Sequence, residues 1–204
     1  LLADVGDWVL ATACDHATDW PPTHDGECLR LTVNVSDEQL MRGDFAARVA
    51  TAQRTSGLKA ERLELDLDEK VLALDSPTLA ATLERIAATG VRLSIDDFGR
   101  GRASIPRLRR YPLAALKLDP ELVRGVGRSE DSEAIVEAVG ALAGTLGLEI
   151  YARGVEHRGQ QAFLCALDCH LQQGPLFGRP LAAREFAAAI AAPPGGKDRA
   201  GRHP

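Results

Sequence analysis

The chain has no excess of positive charge. Its 204 residues carry 24 Lys and Arg against 29 Asp and Glu, a formal net charge of −5. A general nucleic-acid binder shows a strongly basic face, so no nucleic-acid partner is expected, although a local basic pocket remains open. The sequence also has no apolar run of membrane-spanning length and no visible signal peptide. Cysteine is scarce: Cys14, Cys28, Cys165 and Cys169 lack the paired spacing of a zinc site. Cys165 and Cys169 stand four apart at an expected helix-to-strand junction, which points to buried free thiols rather than a disulfide. A reducing, cytoplasmic setting is the expectation. The first residue is Leu rather than Met, which suggests a piece of something longer.

What is present is ordinary for a soluble domain: 45% hydrophobic and 26% charged residues, on a length that supports one sizeable core. Short apolar runs alternate with longer amphipathic ones. Strands are predicted at Leu29–Val35, Leu63–Leu67, Val91–Ile95, Ala115–Leu118 and Leu148–Ala152, with a weaker one near Cys169–Leu171. Helices are predicted over Leu79–Ala88, Ser132–Leu146, Arg158–Leu167 and Arg184–Ala191. Ser76-Pro77 reads as a helix start, and Gly57 and Gly90 as helix stops. No linker interrupts residues 1–192, so they form one domain, and residues 193–204 ("PPGGKDRAGRHP") read as a disordered tail.

Successive strand–helix units imply a parallel sheet covered on its faces. Two architectures suit that pattern: an open doubly wound sheet, or an incomplete (β/α)8 barrel of the TIM type with six of its units. The polar residues favour the barrel. Asn34, Asp66, Asp96, Asp97, Lys117, Arg153 and Gln173 fall at or just past the C-terminal ends of successive strands. In a barrel those ends form one ring around one pocket; in an open sheet the outer members lie too far apart to cooperate.

The ring has two chemical readings. Asp66, Asp96, Asp97 and the amide oxygen of Asn34 make an all-oxygen set suited to Mg2+, Mn2+ or Ca2+. Such ions position a water and stabilise the oxygens of a phosphodiester during in-line displacement, with Lys117 adding positive charge. Alternatively, the adjacent aspartates of "IDDFGRGRAS" are turn formers neutralised by a neighbouring Arg or Lys.

The motifs "LTVNVS", "LELDLDE", "SIDDFGRG", "ALKLD", "ARGVEHRGQQ" and "CHLQQGPLFGRPL" follow one another along nearly the whole chain. In that order they resemble the EAL domain, a barrel phosphodiesterase family that linearises the bacterial messenger cyclic di-GMP. The resemblance implies metal ligands at Asn34, Asp66, Asp96 and Asp97. It implies catalytic positions at Lys117, Asp97 and Glu156, a substrate contact at Gln173, and a loop-supporting role for Glu69. It further implies Mg2+ or Mn2+ where the site works, a fused GGDEF or sensor domain or another protein partner, and a homodimer.

The departures from the family pattern are informative. The segment with the Glu-Ala-Leu signature lies outside this sequence, on the N-terminal side. Asp66 stands where the family has glutamate, one methylene short, and Mg2+ tolerates little deviation from a shell of about 2.0–2.1 Å. "ARGVE" replaces "AEGVE", so Arg153 takes the place of a metal-side glutamate. Arg100 and Arg102 replace residues of the "GTGYSS" loop, and Arg100 and Arg153 become candidate phosphate contacts. The expectation is a degenerate EAL domain that binds cyclic di-GMP or a protein with little or no hydrolysis. An active metal-dependent phosphodiesterase is the alternative, and a purely structural module of a larger signalling protein is a third reading.

Overall fold

A computed structural model describes residues 2–23, 26–74, 76–99 and 105–191. Helix α1 (Leu2–Thr18) leads into strand β1 (Leu31–Val35), followed by α2 (Asp37–Met41) and α3 (Phe45–Ser56). Strand β2 (Leu63–Asp68) runs through a 3-10 turn, Glu69–Ala73, into α4 (Pro77–Ala87) and then β3 (Arg92–Phe98). After α5 (Ile105–Leu108) come β4 (Ala115–Leu118), α6 (Pro120–Gly125), α7 (Glu130–Leu146) and β5 (Glu149–Arg153). The described chain closes with α8 (Arg158–Ala166), β6 (Leu171–Gln173) and α9 (Ala183–Ala191).

The strands form one six-stranded sheet in the order β1-β2-β3-β4-β5-β6, every pair parallel. This is the curled part-barrel of an incomplete (β/α)8 fold. The outward faces of the strands are aliphatic: Leu63, Leu65, Leu67, Leu93, Ile95, Leu116 and Leu118 are fully buried beneath the helices. Each such side chain contributes roughly 1.5–3 kcal/mol on leaving water. The inward faces are polar, which is unusual for side chains this deep. Glu64, Asp66, Ser94 and Lys117 are buried in the lumen.

Local chemistry sets the helix ends. Ser76 caps α4 by accepting from the Leu79 amide, with Pro77 in the first turn where its missing N–H costs nothing. Gly57 ends α3 in the left-handed region at φ 76°, a conformation that a Cβ disfavours. Three readings need correcting. Strands β3 and β6 extend further toward their C-terminal ends than expected, reaching Phe98 and Gln173. Helix α1 had no counterpart among the predicted elements. Cys165 is exposed rather than buried, as is Cys28, while Cys14 and Cys169 are buried; all four are free thiols. Burial pushes the Cys169 thiol up to about 12, so it stays protonated at neutral pH. The expected tail, residues 193–204, lies outside the described residues. Among the described residues, no helix is long and apolar enough to cross a membrane.

Strands β1 and β6 each have only one neighbour in the sheet, so each keeps an unpaired edge among the described residues. Thr32 and Asn34 on the inner face of β1 are exposed for the same reason. Unpaired parallel edges recruit other strands. Light scattering on this 204-residue chain should therefore show association. A monodisperse, stable monomer would count against that expectation.

Candidate functional site

The C-terminal ends of the strands converge on a cavity of about 380 Å3 lined by Thr32, Asn34, Asp66, Lys117, Arg153 and Gln173 among others. Strand register places these side chains. Asn34 lies opposite Asp66, Asp68 opposite Asp96, and Arg153 opposite Gln173. Gln173 is fixed further because its carbonyl accepts from the Val155 amide at 3.0 Å, which ties the loop after β5 to β6.

The paired aspartates owe their position to an irregularity. Ile95 pairs with Leu116 and Phe98 with Leu118, so Asp96 and Asp97 together face the single residue Lys117. That is a β-bulge, and it lets two consecutive residues aim toward the same end of the barrel where ordinary pleating would send them to opposite faces. Asp97 adopts φ 52°, uncommon for a residue with a Cβ, and its amide donates to Asp96 Oδ1 at 2.9 Å.

Every carboxylate of this group already meets a cation. Arg153 Nη1 pairs with Asp96 Oδ1 in a close contact and with Asp97 Oδ1 at 3.5 Å. The guanidinium's other nitrogens, Nε and Nη2, hydrogen-bond to no described residue, and the side chain is 34% exposed. Burial alone would lower the Arg153 pKa, but Asp96 and Asp97 outweigh it and hold the group charged. Lys117 Nζ lies 2.8 Å from Asp66 Oδ1 and 3.0 Å from Glu64 Oε1. Ser94 Oγ donates to Asp66 in a second close contact.

Below Lys117 the charges continue toward the N-terminal mouth. Glu64 Oε2 receives Arg30 at 3.4 Å, Arg92 at 3.3 Å and the Tyr151 hydroxyl at 3.2 Å. Arg30 reaches across the lumen to Glu149 at 2.8 Å and to the Tyr151 hydroxyl oxygen at 3.0 Å. The two carboxylates that share Lys117 differ in consequence. Burial pushes the Asp66 carboxyl up, opposed by Lys117 and Ser94, with Asp96 adding repulsion. Burial pushes Glu64 up as well, but Lys117, Ser94 and Arg92 outweigh it and hold it below the usual glutamate value. Burial next to Glu64 raises the Tyr151 phenol, which remains a neutral donor.

The predicted residues do not all gather. Asn34, Asp66, Asp96, Asp97, Lys117, Arg153 and Gln173 share the mouth. Glu156 does not line the cavity; its carboxylate lies 3.8 Å from Arg124 Nε, both largely exposed. Glu69 is buried at the head of the 3-10 turn after β2. That turn is fastened to α5 and the residues after it: Arg107 donates to the Leu72 and Ala73 carbonyls at 3.0 and 2.6 Å, and Tyr111 to that of Leu74 at 2.8 Å. Arg100 and Arg102 lie outside the described residues. Sequence reading overlooked Glu64, Thr32 and Tyr151. The alternation in "LELDL" puts Glu64 on the same strand face as Asp66, so that signal was available.

Residues 1–180 match the EAL domain family. The chain belongs to that family. It is 36% identical over 94% of its length to the bifunctional diguanylate cyclase/cyclic di-GMP phosphodiesterase MucR of Pseudomonas aeruginosa, and spans 28% of that protein. The first curated relatives are all much longer, with 22–28% of their length covered. Among solved structures, the EAL domain of Mycobacterium smegmatis DcpA is 33% identical with a TM-score of 0.86, over 94% of this chain and 85% of that one. A Klebsiella pneumoniae BlrP1 complex with manganese and cyclic di-GMP is 26% identical with a TM-score of 0.78, over 89% of this chain and 45% of that one.

Against this family background, the donor set of the chain does not fit a divalent cation as arranged. Asp96 and Asp97 are bound to Arg153, and Asp66 to Lys117. Among the described residues, no three His, Cys, Asp or Glu side chains gather as a metal set. A guanidinium paired with both aspartates repels a cation approaching them.

Proposed function

We propose that this chain is a degenerate EAL domain of cyclic di-GMP signalling, one that binds the nucleotide and hydrolyses it little or not at all. The observation that carries this reading is the ion pair of Arg153 with Asp96 and Asp97. Hydrolysis of a phosphodiester needs an activated water and charge stabilisation on the leaving and attacking oxygens. With its aspartates paired internally to Arg153, the mouth supplies neither. What it does supply is recognition. The unengaged Nε and Nη2 edge of Arg153 suits bidentate contact with a phosphate, and the Gln173 and Asn34 amides stand beside it. Arg100 belongs to the same proposed set of phosphate contacts. In the longer protein, such a domain would regulate a fused GGDEF or sensor domain, or a separate protein partner, according to its nucleotide occupancy.

Incubation with cyclic di-GMP and Mg2+ or Mn2+ should yield negligible linear pGpG; ordinary enzymatic turnover would overturn the reading. Calorimetry should find nucleotide affinity unchanged by EDTA and weakened by salt. Affinity lost on chelation would refute direct recognition by arginine. The alternative, an active phosphodiesterase, is favoured by one observation: Asp96, Asp97 and Lys117 still converge on one mouth, and both assays discriminate it. Under that alternative, Lys117, Asp97 and Glu156 are the catalytic positions.

A further inference from the structure

Lys117 has three N–H donors, and three acceptors surround it. Asp66 lies 2.8 Å away, Glu64 3.0 Å and the Thr32 hydroxyl 3.4 Å. The Tyr151 ring covers the ammonium, with its centroid 4.8 Å from Nζ. Only 4% of the residue is exposed although it borders the cavity. An anion at the mouth therefore meets an ammonium that already donates to Asp66 and Thr32 and is ion-paired with Glu64. Of its partners, Glu64 is the one outside the mouth. It lies one luminal position below Asp66 on β2, fully buried, and its second oxygen is anchored by Arg30, Arg92 and Tyr151.

We propose that Glu64, held by Tyr151 and the two arginines beneath it, is a positioning residue that withholds Lys117 from the ligand. The lysine then serves the lumen, and phosphate recognition falls to Arg153. The proposal rests on the reading that an anionic nucleotide binds at this mouth. It makes Glu64 a determinant of affinity without any contact to ligand. Glu64→Gln keeps the shape and an acceptor but removes one of the two charges holding the ammonium. Lys117 then retains Asp66 and has a donor to offer a phosphate.

Two measurements test this, and they fail separately. The first reads the restraint without any nucleotide. With an amine-acetylating reagent and mass spectrometry, Lys117 of the parent should react at least about tenfold more slowly than the exposed Lys59 and Lys70. Glu64→Gln should bring Lys117 close to their rate while leaving Lys59 and Lys70 unchanged. Tyr151→Phe, which removes only the hydroxyl that holds Glu64, should fall between. Lys117 reacting in the parent as fast as Lys59, or unaltered by Glu64→Gln, overturns the proposal. The second measurement is cyclic di-GMP titration of the folded variants. Glu64→Gln should bind about tenfold more tightly than the parent, and Glu64→Gln/Lys117→Met should return to within about threefold of it. A gain that survives loss of Lys117, or no gain at all, overturns the proposal. A parent that binds no cyclic di-GMP overturns the binding reading of the mouth, while acetylation still decides whether Glu64 restrains Lys117.

Discussion

Replacing Arg153 by glutamate should make the melting temperature depend on divalent metal, whereas that of the parent should not. In the parent, one guanidinium pairs with both Asp96 and Asp97 and offsets one of their two charges. Without metal, the Arg153→Glu variant crowds three carboxylates together, and like-charge repulsion lowers stability. Millimolar Mg2+ or Mn2+ binds the folded variant and restores it by mass action. At a hundredfold over the dissociation constant, the gain is about 2.7 kcal/mol. For a domain of this size, that corresponds to about 5–11 °C. Hydrolysis need not return, because Asp66 remains tied to Lys117. Thermal scans of parent and variant with EDTA and with metal give the answer. If the parent itself melts much higher with metal, Arg153 does not stand in for a cation, and the active-enzyme alternative moves ahead.

Lys117→Met should be among the most destabilising substitutions in the chain. It strands Glu64 and Asp66, 0% and 6% exposed, without the ammonium they share. Breaking a buried ion pair from one side typically costs about 3–5 kcal/mol. The pH dependence has a definite sign. In the parent, Glu64 titrates below its ordinary value of 4.5, so its contribution is present above that value and lost as pH falls through the lower folded one. In the variant, Asp66 loses its cation and its already raised carboxyl rises further, while Glu64 keeps Arg30 and Arg92 but loses the ammonium that helped hold it low. At Asp66 the folded variant then binds more protons than the unfolded chain, and its stability falls as pH rises through that raised value. The gap between parent and variant should therefore narrow from both sides on acidification. Urea denaturation at neutral and mildly acidic pH measures it. A neutral-pH loss of under about 1 kcal/mol, the scale of an exposed pair, would show that the lumen is wetter than the packing indicates.

Much of this architecture was legible in the sequence, for identifiable reasons. The apolar strand cores, from Leu63–Leu67 to Leu148–Ala152, stand out because they are bounded by polar residues, and the polar residues at their ends placed the mouth. Ser76-Pro77 and Gly57 carry their cap chemistry in their identity. The bulge was not legible. Nothing in "SIDDFG" says that β3 and β4 slip by one residue, because that follows from how two strands meet. Without it, Asp96 and Asp97 would be expected on opposite faces. Helix α1 escaped because residues 2–18 mix Gly6, acidic residues and an exposed Trp8 in a weakly amphipathic pattern. That an Arg or Lys meets the paired aspartates was expected from their charge, whereas the column from Arg30 to Lys117 needed Arg30 to be brought to Glu149 and Tyr151, more than a hundred positions away. Glu156 illustrates the converse: a family motif gives a residue's position, but the loop after β5 turns its carboxylate toward Arg124.

That column also bears on the shape of the sheet. A six-stranded parallel sheet with two free edges has no covalent or hydrogen-bonded reason to remain curled rather than flatten into an open twisted layer. Arg30, next to β1, grips Glu149 and Tyr151 on β5 across three intervening strands, and Glu64 and Lys117 fill the space between. The charged lumen thus acts as a drawstring across the inner surface, drawing β5 toward the β1 rim. Curvature, which aliphatic packing outside the strands permits but does not require, is set from within by ions.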